Sequence, residues 1–291
     1  MNLDFDKHNL ICALYITCML QYICCALLLI LRYKNNNNNQ KFDIISIPIL
    51  FSWLLHGFCI ILPWIINGIY FGIGHVLSII SWVGLGLYIY EKRHPNMQTM
   101  QFIMICMGAA FVSLPYFFKS IVILDTSINT GNFGKYSNIL VQNFYIFLSH
   151  FIFINSTYGI LTWICVHIVI MIFLEKNLHN PHKYSYKFLY KCPPLLHMQE
   201  ILKQRLYVLW YFMTFVIFTG IYLWIQEDLS YITHKIIFSL ISWLIFLYFL
   251  HIKYKNGINS KKTIYYIIAI FAFWILSYIG SNFIINIIEY K

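Results

Sequence analysis

The sequence predicts an all-α polytopic membrane bundle of eight transmembrane helices, with both termini on the outer, periplasmic side. Three observations carry this. Of 291 residues, 60% are hydrophobic and 10% are charged, against about 45–50% and 25% in soluble domains. Eight apolar runs are long enough to cross a bilayer, which takes about 20 helical residues for a hydrocarbon layer of about 30 Å. Lys and Arg gather on one side of the alternation those runs create. A soluble globule, a disordered tail and a disulfide scaffold are excluded by composition.

The runs lie at about 10–31, 44–66, 70–90, 99–118, 144–174, 206–225, 232–251 and 263–288. The first is preceded by Asp4, Asp6 and Lys7, is too long for a secretory h-region and has no small-residue cleavage site after it. It therefore reads as a span rather than a signal peptide. Five consecutive Asn between Lys34 and Gln40 form a polar connection to the second run. Asn67-Gly68 is a turn between the second and third. His94-Pro95 ends the third. The stretch 119–143, with Asn129, Gly131, Asn132 and Gly134, is the longest connection on its side and separates the fourth run from the fifth. Pro193-Pro194 predicts a short surface helix, Leu195 to Leu202, running into the sixth. No internal repeat or second domain is evident, so residues 1–291 read as one membrane domain.

Fifteen cations follow runs one, three, five and seven: Arg32, Lys34, Lys41, Lys92, Arg93, Lys176, Lys183, Lys187, Lys191, Lys203, Arg205, Lys253, Lys255, Lys261 and Lys262. Five fall on the other side: Lys7, Lys119, Lys135, Lys235 and Lys291. The richer side is cytoplasmic by the positive-inside rule, which turns both termini outward. The net charge of +10 is thus spent on orientation, and no nucleic-acid partner is implied. The eight cysteines form no CxxC and mostly sit inside apolar runs, where they read as small apolar filler.

Phosphate loops, nucleophile elbows and HExxH are all absent, and a binding or assembly protein is expected before an enzyme. Histidine is the residue type left with chemistry. His94, His179, His182, His197 and His251 fall at the cytoplasmic face, and His167 lies in the inner half of run five. His8, His75, His150 and His234 fall at the outer face, with His56 somewhat deeper. Two imidazoles at one depth on different helices can ligate a flat metal cofactor axially, as haem iron is ligated. Equally, they can anchor helix ends at the interface. Aromatic residues, 19% of the chain, suit an apolar planar ligand.

Several stretches resemble a known family. His234 to Leu244 (HKIIFSLISWL), then Lys253 to Gly257, then Ser277 to Phe283 (SYIGSNF) follow an order found there, as do Pro193-Pro194-Leu195-Leu196 with Glu200, His150 with Tyr158 downstream, and Leu77 to Trp82. Over about residues 45–287 the chain resembles the cytochrome c assembly family, in particular its bacterial inner-membrane branch of CcsA- and HemX-related, YpjD-like proteins. The resemblance implies haem handling at the outer face of the bacterial inner membrane, in the company of other assembly proteins or apocytochrome. By position His150 resembles the first outer-face histidine of the haem-transporting members. Leu223 to Tyr231, with Trp224 and Asp228, stands where those members carry a Trp-rich loop.

The expected site follows from this. His150 and His234 ligate one haem across a cleft, with His75 in reserve. Trp224, Trp243 and Tyr278 pack near the ring. Lys235, Lys135 or Lys119 meets the propionates, since a cation offsets the cost of a carboxylate near lipid. Asn282 fixes an imidazole tautomer. A structural or regulatory subunit that keeps the fold without haem is the alternative. A small-molecule transporter is a third reading; Pro48, Pro63 and Pro115 interrupt helices, but no charge lies near mid-membrane.

Overall fold

Among the described residues each of the eight apolar runs contains an α-helix, since a chain in lipid must satisfy its own backbone hydrogen bonds. The computed structural model describes residues 2–34, 46–67, 69–71, 73–91, 98–117, 121–124, 144–179, 194–227, 233–256 and 260–289, with some side chains at helix ends outside that description. The helices are α1 (Asn2–Lys34), α2 (Ser46–Asn67), α3 (Ile73–Glu91), α4 (Gln98–Val112), the single-turn α5 (Leu114–Phe117), α6 (Phe144–His179), α7 (Leu195–Glu227), α8 (Thr233–Asn256) and α9 (Ser260–Glu289).

Five described stretches are long and apolar enough to cross a membrane: Asn9–Leu31, Met100–Phe117, Tyr145–Leu178, Leu195–Ile225 and Ile236–Lys253. Three more are apolar but shorter: Ile47–Pro63, Gly74–Tyr90 and Lys262–Ser277. Large apolar side chains such as Leu20, Leu27, Leu31, Phe51 and Phe218 are exposed, as a lipid solvent requires.

The chain divides into two compact units, Met1–Asn132 and Phe133–Lys291. In the first, contacts run from α1 to α2, α2 to α3, α3 to α4 and α4 back to α1. Two features here depart from the sequence reading. Residues 70–71, expected at the start of the third run, belong with Ile69 to strand β1 (Ile69–Phe71). It pairs antiparallel with β2 (Ile121–Leu124), part of the segment expected to be a plain loop. Pro115 explains the break between α4 and α5: it lacks the N–H that would continue the ladder, and Tyr116 N–H instead bonds the Ser113 carbonyl at 3.1 Å.

The α2–α3 seam carries a reciprocal tryptophan pair. Trp53 Nε1–H donates to the Trp82 carbonyl and Trp82 Nε1–H to the Trp53 carbonyl, each at 2.9 Å. The rings stack 4.9 Å apart and 2° from parallel. Each ring rests on a glycine of the facing helix, Trp82 on Gly57 and Trp53 on Gly86, where an added Cβ would come within 3.0 Å of the indole. Both helices thus carry Trp-x-x-x-Gly in the same relation, with local two-fold symmetry.

In the second unit contacts run from α6 to α7, α7 to α8, α8 to α9 and α9 back to α6. This is a four-helix ring with α6 diagonal to α8. At an interaxial spacing of about 8–10 Å, such a diagonal is about 11–14 Å. Tyr158 O–H ties α6 to α9 through the Trp274 carbonyl at 2.7 Å. Ser242 O–H ties α8 to α9 through the Ile270 carbonyl at 3.0 Å. The helix expected over Leu195–Leu202, running into the sixth span, is the first part of α7, which is continuous from Leu195, and the Pro194 carbonyl accepts from Met198 N–H at 3.1 Å.

Candidate functional site

His150 lies in the second turn of α6, half-buried against α7. Its Nδ1 is 2.8 Å from the Thr219 hydroxyl. Thr219 has one proton and points it at its own helix, toward the Phe215 carbonyl at 2.9 Å and the Val216 carbonyl at 3.1 Å. The hydroxyl oxygen therefore accepts from Nδ1–H, and the neutral ring keeps its lone pair on Nε2. This is how a metal-ligating imidazole is commonly held, the far nitrogen donating while Nε2 binds. Gly220 makes room for the ring: a Cβ there would stand 3.2 Å from His150 Cε1. One turn further along α6, Phe153 packs on Phe215 and Phe212 of α7 at centroid distances of 4.0 and 5.1 Å.

Trp243, in the middle of α8, is held on the same partner helix. Its Nε1–H donates to the Thr214 hydroxyl at 3.0 Å, and Thr214 donates to the Trp210 carbonyl at 2.8 Å. Thr214 and Thr219 are about 7.5 Å apart along α7 and about 140° apart around it, so α7 offers one hydroxyl to α6 and another to α8. With α8 returning antiparallel, the Trp243–Thr214 bond sets a register in which His234 is level with about Leu223. That is roughly one turn from Thr219, the level of His150. The backbone of His234 and Lys235 belongs to α8 and that of Tyr278 and Asn282 to α9, but their side chains lie outside the described residues. Lys119 and Lys135 lie outside them entirely. Trp224, in the last turns of α7, is 36% exposed.

His75 belongs to the first unit, buried in the first turn of α3. The sequence reading missed how the first unit uses its deeper histidine. His56, fully buried, has Nδ1 3.1 Å from Tyr22 Oη on α1 and Nε2 2.9 Å from Ser78 Oγ on α3. Both ring nitrogens are committed, so His56 binds three helices together instead of a ligand. Nearby, Cys25 meets the Ser52 hydroxyl at 3.5 Å. His167, in the second half of α6, is tied at one nitrogen: Nε2–H donates to the Met198 carbonyl of α7 at 2.9 Å, and the buried Nδ1 has no hydrogen-bond partner among the described residues.

Among the described residues no group of three or more His, Cys, Asp or Glu converges as a metal site. A zinc-type centre needs such a group, whereas haem needs one or two axial imidazoles. The donor chemistry at His150, an imidazole engaged by Thr219 through Nδ1, fits haem. The described cysteines Cys18, Cys24, Cys25, Cys59, Cys106 and Cys165 are free thiols.

The family model described as cytochrome c assembly protein matches residues 72–289. The chain belongs to the cytochrome c assembly family. The match takes in α3, α4 and the whole ring of α6 to α9. It begins later than the resemblance seen in the sequence, which reached back to about residue 45, so α1 and α2 stand ahead of the family core. The His150–Thr219 pair lies inside the core; His56 and Tyr22 lie outside it. No curated protein and no solved structure matches the chain. Family membership carries a role in cytochrome c maturation in a membrane.

Proposed function

We propose that this chain binds haem at the outer face of the bacterial inner membrane during cytochrome c assembly, with His150 and His234 as its axial ligands. The observation that carries the proposal is the His150–Thr219 hydrogen bond, which presets the ligating tautomer. Two further points support it. His234 is within about one turn of the same depth, and α6 and α8 are diagonal in the ring, at a separation that two Fe–N bonds and two imidazoles can span. Haem supplies an iron whose two axial positions accept nitrogen donors. The chain orients the imidazoles, excludes water with Phe153, Phe212 and Phe215, and offers Trp243, Trp224 and Tyr278 to the ring edge. Lys235, Lys119 and Lys135 are the cations assigned to the propionates. Asn282 is assigned to an imidazole, with His75 as the reserve ligand. Eight spans with outward termini belong to the same reading, as does one membrane domain assembled with apocytochrome or other assembly proteins.

The test is the absorption spectrum of protein extracted in mild detergent. Wild type gives a Soret band and a low-spin reduced-minus-oxidised signal. His150→Ala and His234→Ala each abolish or broaden it. If both variants keep the wild-type spectrum, the ligands are wrong. If wild type carries no haem, the chain is a structural or regulatory subunit on the same fold.

A further inference from the structure

A positive charge is buried at the Lys/Arg-rich end of the second unit, and no group among the described residues meets it. Lys253 is the last residue of the apolar span Ile236–Lys253 and is 8% exposed. Its Nζ is buried and has no hydrogen-bond partner among the described residues. A lysine at the end of a span ordinarily snorkels its ammonium into water. Here the ammonium sits 5.8 Å from the centroid of the Tyr207 ring on α7. Lys203, four residues earlier on the same face of α7, adds a second positive charge nearby. A cation–π contact weakly offsets the burial of an ammonium, and a neighbouring lysine makes that burial worse. An isolated buried ion costs several kcal/mol. Among the described residues the arrangement lacks a negative charge with oxygen acceptors.

Position identifies the chemistry of that group. The end of an apolar span is the level of lipid phosphates. Lys203 and Tyr207 are exposed, so the site opens to the surface along α7. Basic pockets between transmembrane helices on the cytoplasmic side are where anionic headgroups dock. A phosphate oxygen on a lysine ammonium makes a charge-assisted hydrogen bond, about twice as strong as a neutral one.

We propose that Lys253, assisted by Lys203, holds a phosphate between α7 and α8 at the cytoplasmic face, the phosphodiester of an anionic lipid or free phosphate. This is independent of haem binding at the other end of the ring.

The experiment measures thermal unfolding in nanodiscs of phosphatidylcholine alone, of phosphatidylcholine with phosphatidylglycerol, and of phosphatidylcholine with millimolar inorganic phosphate. Wild type, Lys253→Met, Lys253→Arg and Lys176→Met are compared. Lys176 is an exposed cation of the same end, so its removal controls for net charge. Phosphatidylglycerol is expected to raise the midpoint of wild type, Lys253→Arg and Lys176→Met by about 2–4 °C, and to leave Lys253→Met unmoved. A shift produced by phosphate alone, and lost in Lys253→Met, supports the site with free phosphate as its source. An equal shift in Lys253→Met, or no shift of wild type in either arm, overturns the proposal.

Discussion

Thr219 decides what His150 can do. Its hydroxyl spends its proton on α7 and offers only a lone pair to the imidazole. Thr219→Val keeps the shape and removes the acceptor, so haem affinity should fall roughly 10–100-fold, as is usual when the partner of a ligating histidine is removed. Thr219→Ser should stay near wild type, and haem titration followed at the Soret band reads both. Gly220→Ala places a methyl 3.2 Å from Cε1; the same titration should show weaker binding with Thr219 intact, separating ring position from tautomer. At His56 the outcome is one of stability. Tyr22→Phe deprives Nδ1 of its partner in a dry interior. The expected loss is about 1–2 kcal/mol, at the upper end of polar contacts measured in membranes, read from denaturant unfolding in detergent. The haem spectrum should not change.

At the scale of elements, the α2–α3 seam depends on two glycines that admit two indoles. Replacing Gly86 by Leu forces a side chain into the space of the Trp53 ring, and Gly57→Leu does the same to Trp82. Overpacking of this kind costs about 1–3 kcal/mol, and the near symmetry of the pair means the two variants should lose similar stability in thermal unfolding. The long helices were legible in the sequence because lipid leaves the backbone no other way to satisfy itself, and apolar runs mark them without reference to partners. The seam was not. Trp53-x-x-x-Gly57 and Trp82-x-x-x-Gly86 are both visible in the sequence, but their meaning depends on two segments facing each other. The β1–β2 pair was hidden for the same reason, since Ile121–Leu124 is an apolar run too short to separate strand from helix by periodicity. Pro193-Pro194 marked the start of α7 in the sequence, because proline is favoured just ahead of a helix.

For the site, the sequence carried an expected depth for each histidine but not the partner that engages it. Counting residues from the ends of apolar runs put His150 at the outer interface and His56 deeper. Hydrogen-bond partners 69, 34 and 22 residues away show that the first is held by Thr219 through Nδ1 and that the second is committed at both nitrogens to Tyr22 and Ser78.

At the scale of the whole molecule, the charge bias of fifteen to five predicts orientation. Single cysteines introduced at Asn129 and Asn259, in a background without native Cys, should label from opposite sides of intact cells. Asn129 should react with an impermeant reagent and Asn259 should not; labelling of both, or of Asn259 alone, contradicts the eight-span arrangement with outward termini. The central claim, that His150 ligates haem from the outer end of the second unit, has a more direct measurement. His150→Gly removes the imidazole and leaves a space that free imidazole can enter. The low-spin reduced-minus-oxidised spectrum should be lost in the variant and return as imidazole is added. A variant that keeps the wild-type spectrum without imidazole would contradict the claim, as would one whose altered spectrum imidazole leaves unchanged.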